Sequence, residues 1–159
     1  MLRLFSFLLV GISAFVIGCQ NDPYTGDLST TKPKRNDIPG VYKLVKQTLN
    51  ESGIDSVPKV GLVVLNSDGT YLADSLPNYI EGEGSKPFVS SRGLWELTTV
   101  NGVDNGWGHP KDNWVILLKN IDDNFSRIYL SRDKPPYDLL FNFDDFDFGK
   151  LMIFKKKIR

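Results

Sequence analysis

The sequence predicts an all-β domain, an eight-stranded antiparallel up-and-down β-barrel with little helix, on three observations. β-Branched and aromatic residues gather in short runs; clusters of Gly, Pro, Asn and Asp separate the runs; and within most runs apolar and polar residues alternate. Period two is the repeat of a strand with one solvated face, and short polar connections join neighbours that run antiparallel. Eight strands can close without a free edge around an interior that either fills with side chains or holds one small ligand. An open β-sandwich is the alternative architecture.

The first strand is expected over residues 40–48, and the second and third over 60–65 and 70–74. Asn66-Ser67-Asp68-Gly69 joins the latter pair and is the sharpest hairpin signal, since Gly69 supplies the positive φ of a tight turn. In the fourth, 93–100, Trp95, Leu97 and Thr99 share one face and Glu96 and Thr98 the other. The fifth is expected over 114–119, before the polar turn Asp122-Asp123-Asn124. In the sixth, 126–132, Ile128 and Leu130 oppose Arg127, Tyr129 and Ser131. A turn with Pro135 and Pro136, which cannot donate to a ladder, precedes the seventh strand, 137–143. There Leu139, Phe141 and Phe143 oppose Leu140 and Asn142. Residues 144–149 form a turn before the eighth strand, 150–157. Residues 43–52 are the best helix candidate, but Val45, Thr48 and Asn50 argue against it. One helical turn near Asn50 or in the N-terminal segment is the most expected.

The N-terminus has a different character. Arg3 precedes an apolar run, Leu4 to Ile17, broken only by Ser6, Gly11 and Ser13, and Val16-Ile17-Gly18-Cys19 follows. This order is that of a secretory signal, and the run is shorter than the roughly 20 residues a transmembrane helix needs. The ending resembles the lipobox of bacterial lipoproteins. The resemblance implies that residues 1–18 are a cleaved signal peptide. It also implies that Cys19 carries diacylglycerol and a further acyl group such as palmitate. Two or more chains hold a protein stably at a membrane. Residues 19–38 then read as the lipidated cysteine and a flexible tether. Within it only Tyr24, Leu28 and Ile38 are sizeable apolar groups, too few to offset ordering entropy. The β domain is expected over 39–159. By the same resemblance Gln20, in place of an inner-membrane-retaining Asp, favours the outer membrane of a Gram-negative envelope.

Composition excludes several function classes. Nineteen Lys plus Arg balance nineteen Asp plus Glu, so the basic stripe of a nucleic-acid binder is not expected. Cys19 is the only cysteine, which leaves no disulfide and no cysteine-rich zinc site. The roughly 140 residues after the leader suffice for one domain stabilised by burial.

Gly40-Val41-Tyr42-Lys43-Leu44 and Gly93-Leu94-Trp95-Glu96-Leu97 resemble the Gly-x-aromatic-x-Leu strand starts of lipocalin-like domains. Pro135-Pro136-Tyr137-Asp138-Leu139 and Asp145-Phe146-Asp147-Phe148-Gly149 are similar to uncharacterised bacterial domains of that kind, with Phe146 in place of a proline. The resemblance spans about residues 38–157. It implies a lipocalin-like barrel; such folds serve carriers, inhibitors and enzymes alike, so function has to come from a site.

Tyr42, Tyr71, Trp95 and Phe141 are the candidate lining of a ligand cavity inside the barrel. Two longer connections, 77–92 and 101–113, carry Tyr79, Phe88, Trp107 and His109 as candidate interaction residues, since long loops and exposed aromatics are favoured at interfaces. His109 is the only histidine, and no Gly-x-Ser-x-Gly elbow accompanies Ser90 or Ser91. A hydrolase triad is therefore not expected. Asp144, Asp145 and Asp147 lack the closing Glu of a calcium loop and read as turn formers, so no metal and no cofactor is expected. Two functions follow as expectations. One is an envelope lipoprotein whose barrel binds a small apolar ligand or envelope component. The other is a non-enzymatic interaction module of the inhibitor or immunity type.

Overall fold

A computed structural model describes residues 28–48, 60–78, 86–103, 111–143 and 150–158. Eight strands follow one another: β1 Gly40–Thr48, β2 Leu62–Leu65, β3 Thr70–Pro77, β4 Phe88–Val103, β5 Lys111–Leu118, β6 Arg127–Ser131, β7 Asp138–Asn142 and β8 Leu151–Lys156. Each pairs antiparallel with the next, and β8 pairs back onto β1, so one sheet closes on itself in up-and-down order. The all-β class and the eight antiparallel strands are as the sequence predicts. The expected single helical turn is present in the N-terminal segment as a 3-10 turn, Arg35–Asp37. A second covers Asp123–Phe125, where the Asp122 carboxylate accepts from the Asn124 amide at 2.9 Å. Residues near Asn50 lie outside the described residues.

β4 is longer than expected because it serves two neighbours. Its first part pairs with β3, from Pro77↔Phe88 to Thr70↔Leu94, and its second with β5, from Trp95↔Leu118 to Val103↔Lys111. At the β2–β3 hairpin Gly69 has φ 89°, and its amide donates to the Asn66 carbonyl at 3.1 Å.

Alternation sorts side chains into two layers. Tyr42, Val63, Leu65, Tyr71, Trp95, Ile116, Ile128, Leu130, Leu139, Phe141, Met152 and Phe154 belong to the interior cluster. Val115, Tyr129, Leu140 and Leu151 form a second cluster with Leu28 on the outer wall of β5–β8. A bulge between Leu44 and Lys46 changes the parity of β1. Lys46 then pairs with Ile153, whose side chain joins the outer cluster, while Gln47 takes the inward place opposite Met152. One extra residue thus keeps a lysine out of the interior.

Both ends of the ring are closed by residues from the connections. Beyond the β5–β6 end, Phe125 is fully buried against Phe141 and Phe143, with ring centroids at 6.4 and 5.3 Å. The opposite end, where β1 starts, is closed by the N-terminal segment. Here the structure revises the tether. Residues 28–38 are docked rather than free; residues 1–27, with Cys19 and the leader, lie outside the described residues. The Ser29 amide donates to the Leu130 carbonyl, and the Trp114 amide to the Ser29 carbonyl, both at 2.8 Å. Ser29 therefore stitches β5 to β6 beyond the last direct pair, Val115↔Tyr129. The Asp133 carboxylate accepts from the amides of Thr30 and Thr31, both at 2.9 Å. Ile38, fully buried, plugs the interior. Composition alone suggested disorder, but two apolar side chains placed ten residues apart on a hydrogen-bonded strap offset its ordering.

The strap has an acid-sensitive clasp. The Thr31 and Thr30 amides hold the Asp133 carboxyl below the usual carboxylate range. A depressed folded pKa contributes stability above the unfolded value, near 3.9, that is lost as pH falls through the folded one. The Thr30 and Thr31 amides are therefore expected to lose hydrogen-exchange protection below about pH 4, before global unfolding. In Asp133→Asn their protection is weaker at neutral pH and lacks that step. Unchanged protection through this range would contradict the clasp.

Candidate functional site

The four residues expected to line a cavity do meet inside the ring. Tyr42 of β1, Tyr71 of β3, Trp95 of β4 and Phe141 of β7 belong to one interior cluster. Their exposures are 0, 2, 3 and 0 %. Surfaces covered to that degree leave essentially no space for water beside them.

Their polar atoms face backbone rather than a void. The Tyr42 hydroxyl donates to the Ile38 carbonyl, and burial, then the Asp138 and Tyr137 oxygens, push its pKa up. The Tyr71 hydroxyl donates to the Lys119 carbonyl at 2.8 Å and lies 3.2 Å from Ser91 Oγ. The Trp95 indole donates to the Asn66 carbonyl at 3.0 Å, while the Arg35 guanidinium lies 5.3 Å from its ring centroid. Phe141 is ringed by Phe125, Phe143 and Phe154, the last two at 6.2 and 5.4 Å. The two Gly-x-aromatic strand starts are thus used for closing the ring. Tyr42 ties β1 to the strap, and Trp95 is pinned between the β2–β3 hairpin and the strap.

Lys156 sits at the same end. Its Nζ donates to the Asp37 carbonyl at 2.7 Å and lies 5.8 Å from the Tyr42 ring centroid. Burial lowers its pKa, with the Asp37 carboxylate opposing. The remaining strand tryptophan, Trp114, is half-buried against the interior cluster, and Lys32 of the strap lies 5.4 Å from its ring centroid.

Of the candidate interaction residues, Phe88 alone is among the described residues. Phe88 opens β4, partly exposed and paired with Pro77. Tyr79, Trp107 and His109 lie outside the described residues. Their connections leave from the two ends of β4, whose 16 residues span roughly 50 Å if extended. The connection holding Tyr79 and the one holding Trp107 and His109 therefore depart from opposite ends of the ring.

No catalytic grouping forms among the described residues. Ser91 Oγ donates to the Asn120 carbonyl at 2.7 Å. Ser90 Oγ donates to Asp74 Oδ1 at 3.1 Å and accepts from the Ser75 amide at 2.9 Å. Ser90 thus braces the bulged β3–β4 pairing, and Ser91 ties β4 to the β5–β6 connection. Among the described residues no three His, Cys, Asp or Glu gather as a metal site. Asp144, Asp145 and Asp147 lie outside them.

Sequence reasoning missed the outer wall of β8, β1, β2, β3 and β4. Register places Val41 opposite Val64, Val64 opposite Leu72 and Leu72 opposite Arg92, while the Lys157 amide donates to the Val41 carbonyl at 2.8 Å. An outward apolar row is thus capped by a cation at each end. The next row runs Lys155, Lys43, Leu62, Asp74. Val41, Leu72 and the neighbouring Leu94 are exposed. The signal was present as apolar residues at the positions alternate to the buried ones, but only the register shows that they align.

The chain matches no family model, no curated protein and no solved structure.

Proposed function

We propose that the chain is a bacterial cell-envelope lipoprotein, anchored through Cys19, whose β-ring acts as a non-enzymatic interaction module of the inhibitor or immunity type. The observation that carries this reading is the engaged interior. The four aromatic residues best suited to greet a ligand are packed together, and the hydroxyl and indole groups among them donate to main-chain carbonyls. Recognition then falls to the outer surface and to the connections leaving the two ends. A filled, stapled ring presents such surfaces with little ordering cost on binding. The lipobox-like Val16-Ile17-Gly18-Cys19 supports the anchor.

The expected result for Cys19→Ser is a folded domain that leaves the membrane fraction after high-salt washing. Retention after that wash would overturn the anchor. For the module, immobilised mature domain is expected to capture one envelope protein stoichiometrically, without catalytic turnover of it.

A second reading is the binding of a small apolar ligand. It is favoured by the convergence of Tyr42, Tyr71, Trp95 and Phe141 in one interior. It requires the strap or the Phe125 plug to open, and a lipid co-purifying with the native domain would make it the main reading.

A further inference from the structure

We infer that the outer wall of β8–β1–β2–β3–β4 is a docking face for an anionic phospholipid surface. This deepens the lipoprotein reading and rests on it for the identity of the occupant.

The charge pattern is the first support. Lys43, Arg92, Lys155 and Lys157 are exposed on this wall, and none forms an ion pair among the described residues. Lys43 and Lys155 are direct partners across β1 and β8. Like charges directly opposite one another destabilise a sheet, and an external anion removes that penalty. Against these four cations the same rows carry one acid, Asp74, already accepting from Ser75 Oγ at 3.2 Å and Ser90 Oγ at 3.1 Å. The chain as a whole is neutral, whereas these two rows carry a net positive charge.

The apolar pattern is the second. Val41, Leu72 and Leu94 are exposed at 37, 43 and 59 %, with Val64 half-buried between the first two. The opposite wall has a comparable set of outward apolar residues, but Leu28 of the strap covers it. No described segment covers the β1–β4 side. Apolar side chains among lysines fit the boundary between headgroups and acyl chains: the cations meet phosphates while the valine and leucine side chains enter the layer beneath.

Chain length is the third. With residues 28–38 docked, only eight residues lie between Cys19 and Leu28, a reach of at most about 30 Å over the nine steps. The covered wall that includes Leu28 runs as far as Ile153, and the next outward residue on β8 is Lys155, where the basic face begins. An anchor at Cys19 thus keeps the ring as a whole within reach of the bilayer.

All described strands and both clusters lie within residues 28–158, so a chain starting at Gln20 keeps the ring and lacks the lipid. This unlipidated chain is mixed with vesicles of phosphatidylcholine alone or of phosphatidylcholine with phosphatidylglycerol, and sedimented. Binding is expected only to the anionic vesicles and is reversed by salt. The double variant Lys43→Glu/Lys155→Glu should weaken it about tenfold or more, and Leu72→Ser should weaken it less. Lys111→Glu/Lys134→Glu, which changes two exposed lysines elsewhere, should leave it largely intact. Circular dichroism and urea midpoints confirm that each variant is folded. Absence of binding to anionic vesicles overturns the proposal. So does equal loss in the face and control variants, or a dimer that Leu72→Arg dissociates, which would assign the wall to a second copy. Because the chain used has no lipid, failure here leaves the anchor intact, and failure of the Cys19→Ser fractionation leaves this result intact.

Discussion

Phe141→Ala is expected to destabilise the domain by about 3–5 kcal/mol, the usual cost of truncating a buried aromatic residue. Phe141 is fully buried and stands at the centre of the interior phenylalanines. Its ring lies 6.4 Å from Phe125, 6.2 Å from Phe143 and 5.4 Å from Phe154. These neighbours come from the β5–β6 connection, the end of β7 and β8, so collapse onto the lost ring would have to move three parts of the closed sheet at once. A closed hydrogen-bonded ring resists that, and the cavity should persist. Apolar cavities of this kind stay dry and take up benzene or xenon. Urea unfolding measures the loss. Xenon binding to the variant, with none in the parent, identifies its cause. A loss below about 1 kcal/mol would mean that the interior was already loose.

Ser29→Pro is the second large effect, at about 2–6 kcal/mol. Proline deletes the amide that donates to the Leu130 carbonyl at 2.8 Å, and an unsatisfied buried backbone group costs about 1–3 kcal/mol. Ser29 is itself fully buried, so the larger ring also overpacks the seam, for about 1–3 kcal/mol more. Ser29→Ala is the matched control. It loses the bond from Ser29 Oγ to the Thr31 carbonyl at 3.0 Å and the hydroxyl's contact with the Asp133 carboxylate, and should cost about 1 kcal/mol. The proline variant should also lose hydrogen-exchange protection at Trp114, whose amide donates to the Ser29 carbonyl. If both variants were equally mild, the strap would be an ornament on the ring rather than part of its closure.

These two residues mark what the sequence makes legible and what it hides. Phe141 was readable: Leu139, Phe141 and Phe143 alternate with Leu140 and Asn142, and the interior cluster takes the first set. The same pattern located β1 to its terminal residues, because Gly40-Val41-Tyr42 starts it and β-branched residues sustain it. Ser29 was hidden. It sits in a segment whose average composition is polar, and averaging conceals that Leu28 and Ile38 are anchors at 5 and 0 % exposure. The early part of β4 was hidden for a related reason: Ser90, Ser91 and Arg92 are poor strand formers, held there by pairing with β3.

The candidate site divides in the same way. Alternation correctly sent Tyr42, Tyr71 and Trp95 inward with Phe141. It could not tell a lined cavity from a packed interior, since both need the same inward residues. What decides between them is the geometry of closure and the plugs, and Phe125 and Ile38 come from connections with no periodic signal. The outer basic and apolar wall was equally invisible, because its rows exist only across strands. Lys157, Val41, Val64, Leu72 and Arg92 come from five different strands or strand ends.

The central claim is that the interior is filled by the chain itself, which leaves recognition to the surface. Native mass spectrometry of the full chain, expressed in a bacterial envelope and released gently from its membrane, tests this most directly. The expected species has the mass that denaturing spectrometry gives for the covalent, lipid-bearing polypeptide, with nothing further bound. A stoichiometric apolar molecule that remains through native release, leaves only on unfolding and is lost in a Tyr71→Ala variant that still folds would contradict it.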